Sequence, residues 1–132
     1  MTRALSALAG LIFSAVALAT PAMAEIRLVM FEQAGCAYCI MWDKEIGPIY
    51  PKTPEGAAAP LQKQDLHTAL PDDITLTRGK PRFTPTFVLL RDGTEVERLE
   101  GYPGEDFFWG LLGMMLDRSG VALEPPQGEV KG

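Results

Sequence analysis

Cysteine and histidine are scarce in this chain of 132 residues. It has two cysteines, Cys36 and Cys39, and one histidine, His67. A zinc site takes about four Cys, His or carboxylate ligands, and haem attachment needs a histidine directly after the second cysteine, where this chain has Ile40. A structural disulfide, or staple, is also disfavoured. A Cys36–Cys39 bond would close a very short loop, and closing so short a loop removes little entropy from the unfolded chain. The two cysteines therefore favour a reactive pair over a metal site or a staple.

Positive charge is scarce as well. The chain has 12 Lys and Arg against 17 Asp and Glu, a net charge of −5 at pH 7, and no basic run. Proteins that bind nucleic acid need a positive surface to neutralise phosphates. Nucleic acid is therefore not expected as a partner.

Charge is absent from the N-terminal segment that follows Arg3. An apolar stretch, LSALAGLIFSAVALA, leads to the small residues Ala22-Met23-Ala24, which is the pattern of a secretory signal peptide. We predict that residues 1–24 are this signal peptide, cleaved after Ala24, and that the protein is exported to a compartment where disulfides can form. The alternative is a retained membrane anchor.

Residues 25–120 are long enough for one small domain. The remaining residues, 121–132, end in the polar, Pro- and Gly-rich sequence EPPQGEVKG. Such a composition cannot bury enough apolar surface to fold, so we expect a disordered tail.

Hydrophobic patterns predict four strands and two main helices in this domain. Asp92-Gly93 is a hairpin turn signal, and the strand after it loses its alternation, so we expect an edge strand with a bulge. The elements are strand 26–31, helix 36–46, loop 50–60, strand 61–66, an irregular segment 67–82 with a short helix around PDDITL, strands 87–90 and 94–100, and a helix within GEDFFWGLLGMMLDRSG. This order predicts an α/β fold, βαβ then ββα, with a mixed four-stranded sheet flanked by helices.

Two aromatic or imidazole features are interpreted as structural, and a third is left open. We expect Phe107-Phe108-Trp109 to pack in the core and His67 to be a solvated loop residue. Trp42 either packs in the core or shields the cysteines.

The two cysteines fall at the predicted start of the first helix. Unpaired backbone N–H groups and the helix dipole would stabilise a Cys36 thiolate there, and a thiolate is the nucleophile in disulfide exchange. Cys39 follows one helical turn later, where its sulfur can attack a mixed disulfide at Cys36. The spacing therefore predicts a dithiol/disulfide exchanger.

Pro85 follows Thr84 directly before a predicted buried strand. A proline there can simply begin the strand. The alternative is a cis Thr84–Pro85 bond that turns the Thr84 backbone toward the sulfurs, where it could pair with a bound peptide.

Together these features resemble the thioredoxin superfamily over nearly all of residues 25–120. The shared signals are C-x-x-C after a strand, Thr-Pro before the third strand, a hairpin and a C-terminal helix. The resemblance implies a thioredoxin fold, Cys36 as nucleophile, Cys39 as resolving cysteine, and a cis Pro85 that faces them with Thr84. The expected substrate-binding residues are Thr84, Pro85, Ala37 and Tyr38. No metal or cofactor is implied beyond the redox-active disulfide.

Two stretches, from GCAYC to QKQDL and from FTPTF to WGLL, resemble more narrowly the small periplasmic thioredoxins of bacterial sulfur-oxidation (Sox) systems, the SoxS type. That resemblance implies a periplasmic reductase that keeps the thiol of a Sox sulfur-carrier protein reduced. Its electrons would come from a membrane thiol transporter of the CcdA/DsbD kind. The alternatives are a disulfide oxidase or isomerase, a reductase of apocytochrome thiols, and a non-catalytic module that binds copper.

The chain departs from cytosolic thioredoxins at three places. Gly35 stands where those have Trp, Ala37-Tyr38 replaces Gly-Pro, and Met30 replaces the buried Asp that assists proton transfer for the resolving thiol. Glu32, at the same strand end, is the candidate substitute. Because no positive charge lies between the cysteines, we expect a reducing potential nearer to that of thioredoxin than to that of the oxidant DsbA.

Overall fold

The computed structural model describes residues 19–125. Most of the predicted signal peptide and the end of the predicted tail lie outside this range. Residues 19–25 and 121–125 form no helix or strand. In the described part of the chain, no helix has both the length and the apolar character needed to cross a membrane.

The domain is a mixed four-stranded sheet with helices, as expected. In chain order the elements are β1 (Ile26–Glu32), α1 (Ala37–Glu45), a 3₁₀ turn (Tyr50–Lys52), α2 (Pro54–Ala58), β2 (Leu61–Asp65), β3 (Thr86–Arg91), β4 (Thr94–Glu100) and α3 (Glu105–Arg118). The strand order is β2-β1-β3-β4, with β2 parallel to β1 and the other neighbours antiparallel. The central strands β1 and β3 are nearly continuous apolar runs because both of their faces are covered.

The hairpin of β3 and β4 contains the expected irregularity. Leu89 pairs with Glu97, but its neighbour Leu90 pairs with Glu95, so Val96 is an extra residue in β4. The extra residue is a β-bulge, and it explains why the apolar alternation of this edge strand breaks.

Two apolar clusters cover the two faces of the sheet. The larger one joins β1 and β3 to α1 and α3, and Trp42 contacts the rings of Tyr50, Phe87 and Phe108 at centroid distances of 5.5 to 6.0 Å. The smaller one places the segment between β2 and β3 against the opposite face, through Leu66 and Ile74. Cys39 belongs to the larger cluster, and the partly buried Cys36 packs against it.

Three sequence-based expectations were wrong. The predicted loop 50–60 contains α2, because Thr53 caps it by accepting the N–H of Gly56 at 3.0 Å and Pro54 occupies its first turn. The segment PDDITL forms no helix; Thr75 instead makes a parallel bridge to Thr94. Phe107 is 70% exposed, whereas Phe108 is fully buried, because consecutive helical residues point about 100° apart.

Candidate active site

The two cysteines form a disulfide at the N-terminus of α1. Cys36 is the N-cap residue, its Sγ accepts the backbone N–H of Cys39 at 3.1 Å, and the two Cα atoms are 5.2 Å apart. Cys36 is half-buried, whereas Cys39 is 3% exposed and packs in the larger apolar cluster. A partner can therefore reach the first sulfur more easily than the second.

A tight turn carries the chain from β1 to Cys36. The carbonyl of Gln33 accepts the Cys36 N–H at 3.3 Å, and Gly35, the third residue of this turn, has φ +74°. A positive φ at that position is what a type II turn requires, and glycine adopts it without steric cost. A Cβ at Gly35 would meet no atom within 4 Å, so backbone conformation and not lack of space selects glycine here. The Trp that cytosolic thioredoxins have at this position would be strained in this backbone conformation.

The Thr84–Pro85 loop lies at the same edge of the sheet as the dithiol. Its peptide bond is cis, and the next residue, Thr86, pairs with Phe31 near the end of β1. Pro85 is buried, and its carbonyl accepts the N–H of Gly101 at 2.7 Å. Thr84 is half-buried, and its Oγ1 accepts a hydrogen bond from Gln33 Nε2 at 2.8 Å. Gln33 thus connects this loop to the turn that carries Cys36.

His67 is exposed but not simply solvated. Its Nε2 lies 2.9 Å from Gln33 Oε1. Because Gln33 also bonds to Thr84, His67 is part of a hydrogen-bonded chain of side chains that reaches the Thr84–Pro85 loop. No local sequence pattern indicates this contact, because the two residues are 34 positions apart in separate loops.

Glu32, the candidate proton-transfer residue, ends β1 and is held by a cation. Lys63 Nζ on β2 contacts Glu32 at 3.0 Å and Asp43 of α1 at 2.5 Å. Burial lowers the pKa of Lys63, but the hydrogen bonds to Asp43 and Glu32 outweigh burial and raise the pKa above its ordinary value. No hydrogen bond in the described part of the chain joins Glu32 to either cysteine.

Met30 is fully buried in the same cluster as Cys39. Because strand residues alternate between faces, Glu32 lies on the same face of β1 as Met30, two positions nearer the strand end. Glu32 therefore lies at the rim of the core, where Lys63 pairs with it.

Apolar side chains are exposed on the segments that carry the dithiol and the Thr84–Pro85 loop. Tyr38, between the cysteines, is 59% exposed, and Phe83, directly before Thr84, is 64% exposed. Ala37 is also exposed. Within residues 19–125, no three His, Cys, Asp or Glu side chains come together as metal ligands.

Comparison with known proteins identifies this arrangement. A family model described as a thioredoxin-like domain matches residues 14–115. The chain belongs to the thioredoxin-like family. With its C-x-x-C pair, this thioredoxin-like protein is a thiol-disulfide oxidoreductase. A search among curated proteins finds no match.

The solved structures that are similar to this thioredoxin-like protein include two thioredoxins. The periplasmic thioredoxin SoxS from Paracoccus pantotrophus, in its reduced form, is 52% identical with a TM-score of 0.70, and the match covers 72% of this chain and 99% of that one. A thioredoxin of Malassezia sympodialis, Mala s 13, is 21% identical with a TM-score of 0.47, over 68% of this chain and 74% of that one.

Proposed function

We propose that this thioredoxin-like protein is a periplasmic reductase that keeps the thiol of a partner protein reduced. The observation that carries the proposal is the asymmetry of the dithiol: a half-buried Cys36 at a helix N-terminus and a buried Cys39 one turn later. Similarity to the periplasmic SoxS thioredoxin supports the compartment and favours a partner from sulfur oxidation. Residues 1–24 would supply the export signal.

The reaction is a two-electron thiol–disulfide exchange. In the reduced protein, the Cys36 thiolate attacks a sulfur of the partner disulfide; a mixed disulfide forms, and the partner's other sulfur leaves as a thiolate that takes up a proton. Cys39 then loses its proton and attacks Cys36 Sγ. This step releases the second partner thiolate and forms the Cys36–Cys39 disulfide, so the partner gains two electrons and this protein loses them.

The proposed substrate-binding residues surround the sulfurs. Thr84 would pair its backbone with an extended segment of the partner, and Pro85 would hold that backbone in place. Exposed Ala37 and Tyr38 would contact the partner beside its disulfide. Backbone pairing is independent of side chains, so specificity would come from this apolar surface.

Glu32 would accept the proton of Cys39, directly or through water. Its carboxylate lies on the cysteine-bearing face of β1 and is held there by Lys63 at 3.0 Å. A Glu32→Gln variant should slow the second exchange step while leaving the first unchanged. Single-turnover kinetics that resolve the two steps test this role.

The direction of transfer follows from the residues between the cysteines. Ala37 and Tyr38 carry no positive charge to stabilise a Cys36 thiolate further, so the reduced form should not be as strongly favoured as in DsbA. Equilibration with a dithiothreitol redox buffer should give a potential nearer to that of thioredoxin, about −270 mV, than to that of DsbA, about −120 mV. A value close to that of DsbA would contradict the reductase role.

The proposed partner is a Sox sulfur-carrier protein, and the proposed electron donor is a membrane thiol transporter of the CcdA/DsbD kind. A Cys39→Ser variant cannot complete the exchange, so it should retain its partner as a mixed disulfide in the periplasm. Recovery of a sulfur-carrier protein supports the proposal. Recovery of many unfolded exported proteins would indicate an oxidase or isomerase, and recovery of an apocytochrome would indicate the apocytochrome thiol reductase.

The matched control is the Cys36→Ser/Cys39→Ser double variant, which should retain nothing. If Cys39→Ser also retains nothing and the wild type binds Cu(I) tightly, the protein is a metal-binding module and the proposal fails.

A further inference from the structure

Gln33 contacts both halves of the candidate active site. Its backbone carbonyl accepts the N–H of Cys36 at 3.3 Å, and its side-chain Nε2 donates to Thr84 Oγ1 at 2.8 Å. Its Oε1 lies 2.9 Å from His67 Nε2. One residue therefore links the cysteine turn, the Thr84–Pro85 loop and the loop after β2.

The orientation of the Gln33 amide sets the direction of these hydrogen bonds. With the amide in this orientation, Oε1 accepts a hydrogen bond, and His67 Nε2 donates it in the tautomer that carries a hydrogen on Nε2. The amide nitrogen in turn donates to Thr84 Oγ1, which orders the three side chains as His67, Gln33, Thr84. His67 holds the amide in the orientation that Thr84 needs.

The loop that ends at Thr84 depends on a few polar contacts. Arg98 donates to the carbonyl of Gly79 at 2.7 Å, and Thr86 Oγ1 donates to the carbonyl of Phe83 at 2.8 Å. Both contacts bind the loop to β3 or β4. Among the described residues, the hydrogen bond from Gln33 is the side-chain contact that ties Thr84 to the β1–α1 turn.

We propose that Gln33 is a positioning residue that fixes the Thr84–Pro85 loop relative to Cys36, so that a partner backbone docked on Thr84 presents its disulfide to the sulfur. This inference rests on the proposed reductase function. Among the described residues, no hydrogen bond joins the Gln33 side chain to either sulfur, so the reactivity of Cys36 itself should not depend on the amide. Docking of a protein substrate should depend on it.

Two disulfide probes separate docking from reactivity. Insulin is a protein disulfide with backbone to dock, whereas cystamine is a small disulfide without a peptide group. In Gln33→Ala, KM for dithiothreitol-driven insulin reduction should rise about five- to tenfold, because one hydrogen bond that orients the docking strand is lost. The rate constant for cystamine should change less than about twofold.

Thr84→Val removes the acceptor and keeps the shape of the side chain, so it should raise KM for insulin as Gln33→Ala does. The double variant should be no worse than either single one, because both remove the same contact. His67→Gln keeps a donor for Gln33 and should retain the wild-type KM, whereas His67→Ala should raise it.

The matched control is Gln62→Ala on β2. Gln62 is also half-buried and accepts a side-chain hydrogen bond, from Arg27 at 2.7 Å, but it lies away from the dithiol. Gln62→Ala should leave both the KM for insulin and the rate constant for cystamine unchanged. Three results would each overturn the positioning role while leaving the reductase function standing. They are equal losses of activity toward insulin and cystamine, additive effects in the double variant, and an unchanged KM for insulin in Gln33→Ala. A wild type inert toward both probes would overturn the function itself, and this role with it.

Discussion

The sulfur of Cys36 accepts the backbone N–H of Cys39 at 3.1 Å, so the first cysteine of the pair caps the helix that contains the second. In the reduced protein the Cys39 N–H can donate to a Cys36 thiolate. Charge-assisted hydrogen bonds of this kind are about twice as strong as neutral ones. Cys39 lies one turn inside the helix and is almost fully buried. The roles that we propose for the two cysteines, Cys36 as nucleophile and Cys39 as resolving cysteine, match these positions at the start of α1.

The two thiols of the reduced protein should differ in reactivity. With limiting iodoacetamide, Cys36 should be modified at least about tenfold faster than Cys39, because it is accessible and its thiolate is stabilised at a helix N-terminus. Peptide mapping by mass spectrometry measures the ratio. In Cys36→Ser, Cys39 should remain slow; rapid modification there would show that burial does not protect it.

Gly35 should be sensitive to substitution although it has free space around it. Gly35→Ala should lower the free energy of unfolding by about 1 kcal/mol, because any Cβ is strained at φ +74°. Gly35→Asn should cost less. Urea denaturation measures both.

Gly110 provides the control for this prediction. It lies in the interior of α3, is exposed and has no atom within 4 Å of an added Cβ. Gly110→Ala should therefore stabilise the protein by about 0.5 to 1 kcal/mol. If both alanine variants were stabilising, the left-handed conformation of Gly35 would be contradicted.

The strands and the dithiol were predictable from sequence because their signals are local. The buried run TFVLL, the Asp92-Gly93 turn and the C-x-x-C spacing each act over a few residues. The contact between Gln33 and Thr84 joins residues 51 positions apart, and neither is distinctive in its own neighbourhood. The pairing of Glu32 and Asp43 through Lys63 needs three elements in place. Such contacts exist only after the sheet has formed, so no short sequence pattern encodes them.

Truncation of two adjacent phenylalanines should change stability by very different amounts. Phe108 is fully buried and contacts the rings of Trp42, Phe87 and Tyr102, so Phe108→Ala should lower the free energy of unfolding by about 3 to 5 kcal/mol. Phe107→Ala, at a site that is 70% exposed, should change it by less than about 0.5 kcal/mol. Thermal or urea unfolding checks both. A large loss for Phe107→Ala would mean that this side chain is covered.

Glu95 and Arg98 form a buried ion pair within β4, and each also makes a hydrogen bond to the segment that precedes the Thr84–Pro85 loop. The side chains of Glu95 and Arg98 are 0% and 6% exposed, and the guanidinium contacts both carboxylate oxygens, at 2.7 and 3.0 Å. Glu95 also accepts the Arg78 N–H at 3.1 Å. Glu95→Gln should lower the free energy of unfolding by about 3 kcal/mol, because it leaves a buried guanidinium without a counter-charge. In urea titrations the Glu95→Leu/Arg98→Met double variant should lose less than this single variant; a greater loss would contradict the explanation.

The ion pair between Glu97 of β4 and Arg118 of α3 should make stability depend on pH in acid. The hydrogen bond from Arg118, at 2.9 Å, holds the pKa of Glu97 below its ordinary value of 4.5. A lowered folded-state pKa means that the pair stabilises the protein fully above that ordinary value, and that this contribution is lost as the pH falls through the folded-state pKa. Urea titrations should therefore show Glu97→Gln less stable than wild type at neutral pH, with the difference vanishing in acid. Glu100→Gln, exposed on the same strand, should show no such convergence; a difference for Glu97→Gln that persisted unchanged in acid would contradict the pairing.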